Sequence, residues 1–159
     1  MQMVILAVGK LKENYWREAQ AEYTRRLSRY AQIDVVEVDD EPTPENASEA
    51  QTQRIVSIEA DKLSRHLRDR DGIIALDVRG KTYSSEAWSE KYTSLQGEAF
   101  GRLVFVVGGS LGLNSEILSR AVVRWSFGSL TLPHQLARVV LLEQLYRGIR
   151  IARGEPYHK

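Results

Sequence analysis

The sequence predicts an α/β domain, spanning residues 1–159, built on a mainly parallel central sheet with helices on both faces. Three observations lead there. Strand-like apolar runs alternate with helix-period stretches five times along the chain. Two of those runs, GIIALDVRG (72–80) and RLVFVVGG (102–109), are continuously apolar, as in strands buried on both sides. The length of 159 residues, 43% of them apolar and 27% charged, suits one globular domain that buries its core without staples.

The elements follow in order. Val4–Val8 reads as the first strand. Trp16, Ala19, Tyr23, Leu27 and Tyr30 then recur at spacings of three and four, one stripe of an amphipathic helix. Ile33–Val38 alternates as a second strand and stops at the acidic, proline-containing turn Glu41–Asn46. A long helix follows, with Val56, Ala60, Leu63 and Leu67 on one face. After the 72–80 strand, Ser84 opens a helix that runs to the neighbourhood of Leu95. The 102–109 strand leads to a short helix at Ser115–Ala121, a strand near Val122–Phe127, and a final helix from Pro133 to Ile151. Proline is preferred at the first position of a helix. Within that last helix Val139, Val140, Leu141 and Leu142 are apolar around the whole circumference. They need cover on more than one side, from the same chain or from a second subunit.

Composition removes several functions. There is no cysteine, so disulfides, thiolate zinc sites and cysteine nucleophiles are excluded, no metal is expected, and a reducing cytoplasm is the natural compartment. The only apolar stretch near the start, Met3–Val8, is six residues long with no base before it, too short for a membrane span or a leader. Net charge is +1, which advertises no nucleic acid globally. The distribution is uneven: residues 39–45 hold four acids and no base, whereas Arg138–Lys159 holds five Arg or Lys against two Glu. A basic final helix and tail can meet an anion or simply be a solvated face.

Ligands of parallel sheets bind beyond the carboxyl ends of the strands. Two loops sit there, Asp77–Lys81 and Gly108–Gly112. The glycines of VFVVGGSLGLNSEI (104–117) fit neither common phosphate loop. No lysine follows Gly112, as a Walker loop requires, and the pattern is GGxxG late in the chain rather than GxGxxG after the first strand. A plain turn also accounts for glycines at a strand end. The loop Phe127–Leu132 holds one glycine, two hydroxyls and no base, so its backbone groups and the apolar Leu130 and Leu132 suit a flat neutral aromatic base better than a phosphate.

Taken with that loop, VVGGSLGL and SLTLPHQLARVVLLEQLYRGIRIARGEPYHK resemble the RlmH family of SPOUT RNA methyltransferases, and the resemblance runs from MQMVILAVGKLK to the PYHK tail. It implies a compact α/β domain with a deep trefoil knot in its C-terminal third, working as a homodimer. It also implies S-adenosylmethionine as cofactor and transfer of a methyl group to N3 of a pseudouridine in 23S rRNA of the assembled ribosome. For site residues, the resemblance places Leu76, Gly108 and the loop Phe127, Gly128, Ser129, Leu130, Thr131 and Leu132 on the cofactor, with Gly109 and Gly112 allowing close approach of segments. It favours the tail, with Arg153, Tyr157 and His158, as part of the catalytic centre.

The chemistry agrees with the residues available. Without cysteine the thiolate-adduct route to C5 methylation is closed, whereas transfer to a ring nitrogen needs no covalent intermediate. It needs donor and acceptor held in line and the N3 proton removed. Three histidines exist. His66 lies on a charged helix and is expected to be solvated. His134, in the first turn of the last helix, is expected to be neutral, hydrogen-bonded and structural. His158 lies in a tail that no core requires, beside an aromatic ring that can stack on a base and a guanidinium that can hold a phosphate. Which group takes the proton is open. Asp77 has two readings, a receiver for a cofactor amine or substrate hydroxyl, or a plain cap for its turn. A non-catalytic ribosome-binding protein on the same fold, and a SPOUT methyltransferase acting on another RNA, are the competing functions.

Overall fold

The computed structural model describes residues 1–157. Its centre is a five-stranded sheet in the order β2-β1-β4-β3-β5, with every neighbouring pair parallel. The strands are β1 (Gln2–Val8), β2 (Gln32–Val38), β3 (Asp71–Thr82), β4 (Arg102–Val107) and β5 (Val123–Ser126). The helices are α1 (Asn14–Leu27), α2 (Glu49–Ser64), α3 (Ser85–Gln96), α4 (Ser115–Arg120) and α5 (His134–Ala152).

Side chains alternate across each strand, so the continuous apolar runs feed two cores. Met3, Ile5 and Ala7 of β1 join Leu103 and Phe105 of β4 beneath α1, α3 and α5. Val4, Leu6 and Val8 join Val104 and Val106 beneath α2 and α4. The first core is the more aromatic. Trp88 of α3 stacks on Trp125 of β5 with ring centroids 4.0 Å apart, and Phe105 meets Trp88 edge-on at 6.0 Å. Helix starts were legible because they are capped. The Ser48 side chain and Gln51 form a reciprocal capping box, and Ser84 and Asn114 accept from the N–H groups of Ala87 and Ile117.

Four expectations need correction. α1 ends at Leu27, so Tyr30 lies in the following turn rather than on the helix stripe. The inner face of α2 is Ile55, Glu59, Ala60 and Leu63, with Val56 only half-buried. Pro133 stands as the N-cap residue of α5, not in its first turn. β3 also outlasts its buried part. Leu76 and Lys81 both pair with Trp125, so residues 77–80 bulge out of the sheet, and Val78 is 80% exposed. None of the described helices is long and apolar enough to cross a membrane.

Candidate active site

A cavity of about 580 Å³ opens where β3, β4 and β5 end, within the roughly 300–1,000 Å³ of typical cofactor sites. Three segments build it, each leaving the carboxyl end of a strand. Leu76, Asp77 and Val78 come from β3, residues 107–113 from β4, and Trp125, Phe127 and Gly128 with Leu130–His134 from β5 and the start of α5. Seven of the eight residues assigned to the cofactor through the resemblance thus line one cavity: Leu76, Gly108, Phe127, Gly128, Leu130, Thr131 and Leu132. Ser129 is exposed and is not among the lining residues.

The glycines earn their places differently. A Cβ on Gly108 would lie 3.0 Å from the backbone C and O of Gly112 and from Leu113, so it is Gly108 that permits close approach. On Gly109 it would stand 2.9 Å from Glu59 Oε1. Gly112 has open space around it and is required instead for its φ of +83°. The bridge between Gly109 and Gly112 closes the loop.

The loop after β5 presents the backbone expected of it. Gly128 turns with φ +108° and its N–H is held by Ser126 Oγ at 3.2 Å. Among the described residues no hydrogen bond engages the N–H groups of Ser129, Leu130, Thr131 or Leu132. Unpaired backbone donors and acceptors beside Leu130 and Leu132 are what the edge of a neutral heteroaromatic ring requires. These residues fit the adenosyl part of S-adenosylmethionine.

Sequence reasoning missed two features of the wall. Arg138 is fully buried on a helix that reads as apolar. It ion-pairs with Glu37 and donates to Gly9 C=O at 3.0 Å and Gln20 Oε1 at 3.3 Å, tying α5 to the ends of β1 and β2. His134 lines the cavity with its Cε1 against Gly9, 3.1 Å from where a Cβ would be. Its buried Nδ1 has no hydrogen-bond partner among the described residues, contrary to the hydrogen-bonded histidine expected there. Burial first, and the Arg138 guanidinium second, push its pKa below the ordinary 6.5, while Asp40 and Glu13 pull weakly the other way.

A pH dependence follows. The unfolded histidine takes up a proton before the folded one does, so stability from His134 is complete above about pH 6.5 and is lost as pH falls toward the depressed folded value. His134→Asn should remove that part of the acid sensitivity. Its melting temperature, followed from pH 7.5 to 5.0, should fall less than that of the parent. Parallel curves for the two proteins would assign the titration elsewhere.

The described part of the tail is absent from the cavity lining and folds back along α5, where Tyr157 meets Tyr146 and Glu143. α5 starts at the cavity wall and ends at Ala152, about 27 Å away at 1.5 Å per residue. Arg153 donates to Glu155 at 2.7 Å and covers the Tyr30 ring at 5.1 Å. Tyr157 packs edge-on against Tyr146 with centroids 4.9 Å apart and donates to Glu143 at 3.3 Å. Burial first, and the Glu143 carboxylate next, raise the Tyr157 phenol pKa, so it is a donor and not a proton acceptor. Glu155 accepts from Tyr30 at 2.5 Å and Arg150 at 2.6 Å, which makes residues 154–156 part of the packed structure rather than an appendage. His158 lies outside the described residues. His66 is exposed, as expected.

Fold and cavity together define an α/β protein with a cleft of cofactor size at the carboxyl end of its parallel sheet. The model of the family described as predicted SPOUT methyltransferase matches residues 1–158, and the chain belongs to that family. It is 48% identical over all 159 residues to a protein of Leuconostoc mesenteroides named ribosomal RNA large subunit methyltransferase H. It is 46% identical, again over the full length of both chains, to proteins of the same name from Streptococcus pneumoniae. A Legionella pneumophila chain described as a methyltransferase, solved with S-adenosylmethionine bound, shares the fold with a TM-score of 0.51 at 10% identity. The match covers 94% of this chain and 66% of that one.

Proposed function

We propose that the protein transfers a methyl group from S-adenosylmethionine to N3 of a pseudouridine in the 23S rRNA of assembled ribosomes, in the cytoplasm and as a homodimer. The observation that carries the reading is the meeting of Leu76, Gly108 and the Phe127–Leu132 loop around one cavity with unengaged backbone amides. Full-length relatives named for methylation of large-subunit rRNA support the substrate class.

When bound, the cofactor supplies an electrophilic methyl group on a sulfonium. The chain's part is to hold and orient. Leu76, Phe127 and Leu132 exclude water, and the loop amides fix the ring edge. A site completed by the tail of a second subunit is part of this reading, since Tyr157 is held against Glu143 and Tyr146 of its own α5 and is absent from the cavity lining. In that arrangement Arg153 holds a phosphate, Tyr157 stacks on or donates to the base, and His158 is the candidate proton acceptor. Half-buried Val139 and Val140 on α5 are available to the second subunit. Four exposed cations, Arg79, Lys81, Arg120 and Arg124, flank the cavity on the β3 bulge, the end of α4 and the edge strand β5. They offer RNA phosphates a contact that net charge conceals.

The test is transfer of labelled methyl from S-adenosylmethionine to ribosomes of a strain lacking the protein, with the product mapped by rRNA mass spectrometry. A single methylated pseudouridine in 23S rRNA is expected. Cofactor binding without transfer to any rRNA would favour another RNA substrate. Failure to bind S-adenosylhomocysteine would favour a ribosome-binding protein without catalysis.

A further inference from the structure

Asp77 is the one side chain of formal charge in a cavity otherwise walled by apolar groups, backbone, two hydroxyls and the neutral His134. It stands at the mouth, half-buried, next to the 80%-exposed Val78. Its Oδ1 accepts from the Arg79 N–H at 3.1 Å, which fixes the carboxylate across the bulge of β3. No other hydrogen bond and no ion pair of the described residues uses the carboxylate. A charge oriented through one oxygen, with the other free toward a cleft, is a receiving group for a cation.

Resting on the methyltransferase reading, we propose that Asp77 is the cation subsite of this cavity and binds the α-ammonium at the amino-acid end of the cofactor. Two arguments choose the ammonium over the sulfonium. An ammonium has three N–H donors for the free carboxylate oxygen, and a sulfonium has none. The closed end of the cavity, with Trp125 3% exposed, suits the ring, whereas burying a zwitterion there would be costly, so the amino-acid end belongs at the mouth beside Asp77.

Asp77→Asn keeps an oxygen for the Arg79 N–H and removes only the charge. Calorimetric titration of the full-length protein should show S-adenosylhomocysteine, which has the ammonium but no sulfonium, weakened by about 10- to 100-fold, the worth of a charge-assisted hydrogen bond. 5′-Methylthioadenosine, which lacks the amino-acid end, should bind the variant and the parent equally. Equal losses for both ligands would make Asp77 a turn cap only. A loss for S-adenosylmethionine but none for S-adenosylhomocysteine would move the contact to the sulfonium and overturn the assignment, as would no loss at all. A parent protein that binds none of the three ligands would instead sink the methyltransferase reading itself.

Discussion

Gly108→Val should abolish measurable cofactor binding while leaving the protein folded. The new side chain would begin 3.0 Å from the backbone of Gly112, on the other limb of the same loop, and from Leu113. Backbone cannot give way there without opening the Gly109–Gly112 bridge and its 3.1 Å N–H···O bond. Overpacking of this kind costs about 1–3 kcal/mol, less than the stability of an ordinary domain. Gly108 lines the cavity, so the added methyl groups also take up space there. A fall in S-adenosylhomocysteine affinity of at least about 100-fold is expected, some 2.7 kcal/mol by titration. A cooperative melt verifies folding. Unchanged affinity in a folded Gly108→Val protein would take Gly108 out of the site.

The elements that sequence made legible are those governed by local rules. β1, β3 and β4 are continuous apolar runs because both faces are covered, and Ser48, Ser84 and Asn114 announce helices by hydrogen bonds within a few residues. Long-range features left no such trace. Residues 77–80 leave the sheet only because Leu76 and Lys81 compete for Trp125, a residue far along the chain. Glu59 is buried with its pKa raised by desolvation, and its partners are the Glu41 N–H and the space left by Gly109. Arg138 sits in an apolar helix and finds Glu37 and Gly9 from across the sheet. The loop 127–132 was assigned to the cofactor from its motif, and five of its six residues line the cavity without a basic side chain. The contacts of the tail left no trace in the sequence either, because Glu155 meets Tyr30 and Arg150 only in the folded chain.

The Glu155 contacts decide where the tail can be cut to test the composite site. Removing residues 154–159 would discard the Glu155 contacts along with the catalytic candidates. Removing 157–159 keeps Glu155 and the Arg150 bond to Pro156 C=O at 2.8 Å, so the shorter deletion isolates Tyr157 and His158. A homodimer of this truncated chain should bind cofactor normally and transfer no methyl group. A Gly108→Val homodimer should also be inactive, for the opposite reason. The heterodimer of the two, purified through different tags, pairs one intact cavity with one intact tail on the opposite subunit. In the composite-site reading only that pairing can act. It should recover about half the activity of the parent dimer, one working site of two. An inactive heterodimer whose truncated subunit still binds cofactor would place the tail's action within its own chain. A parent protein that light scattering finds as an 18.1 kDa monomer at working concentration would end the composite-site reading.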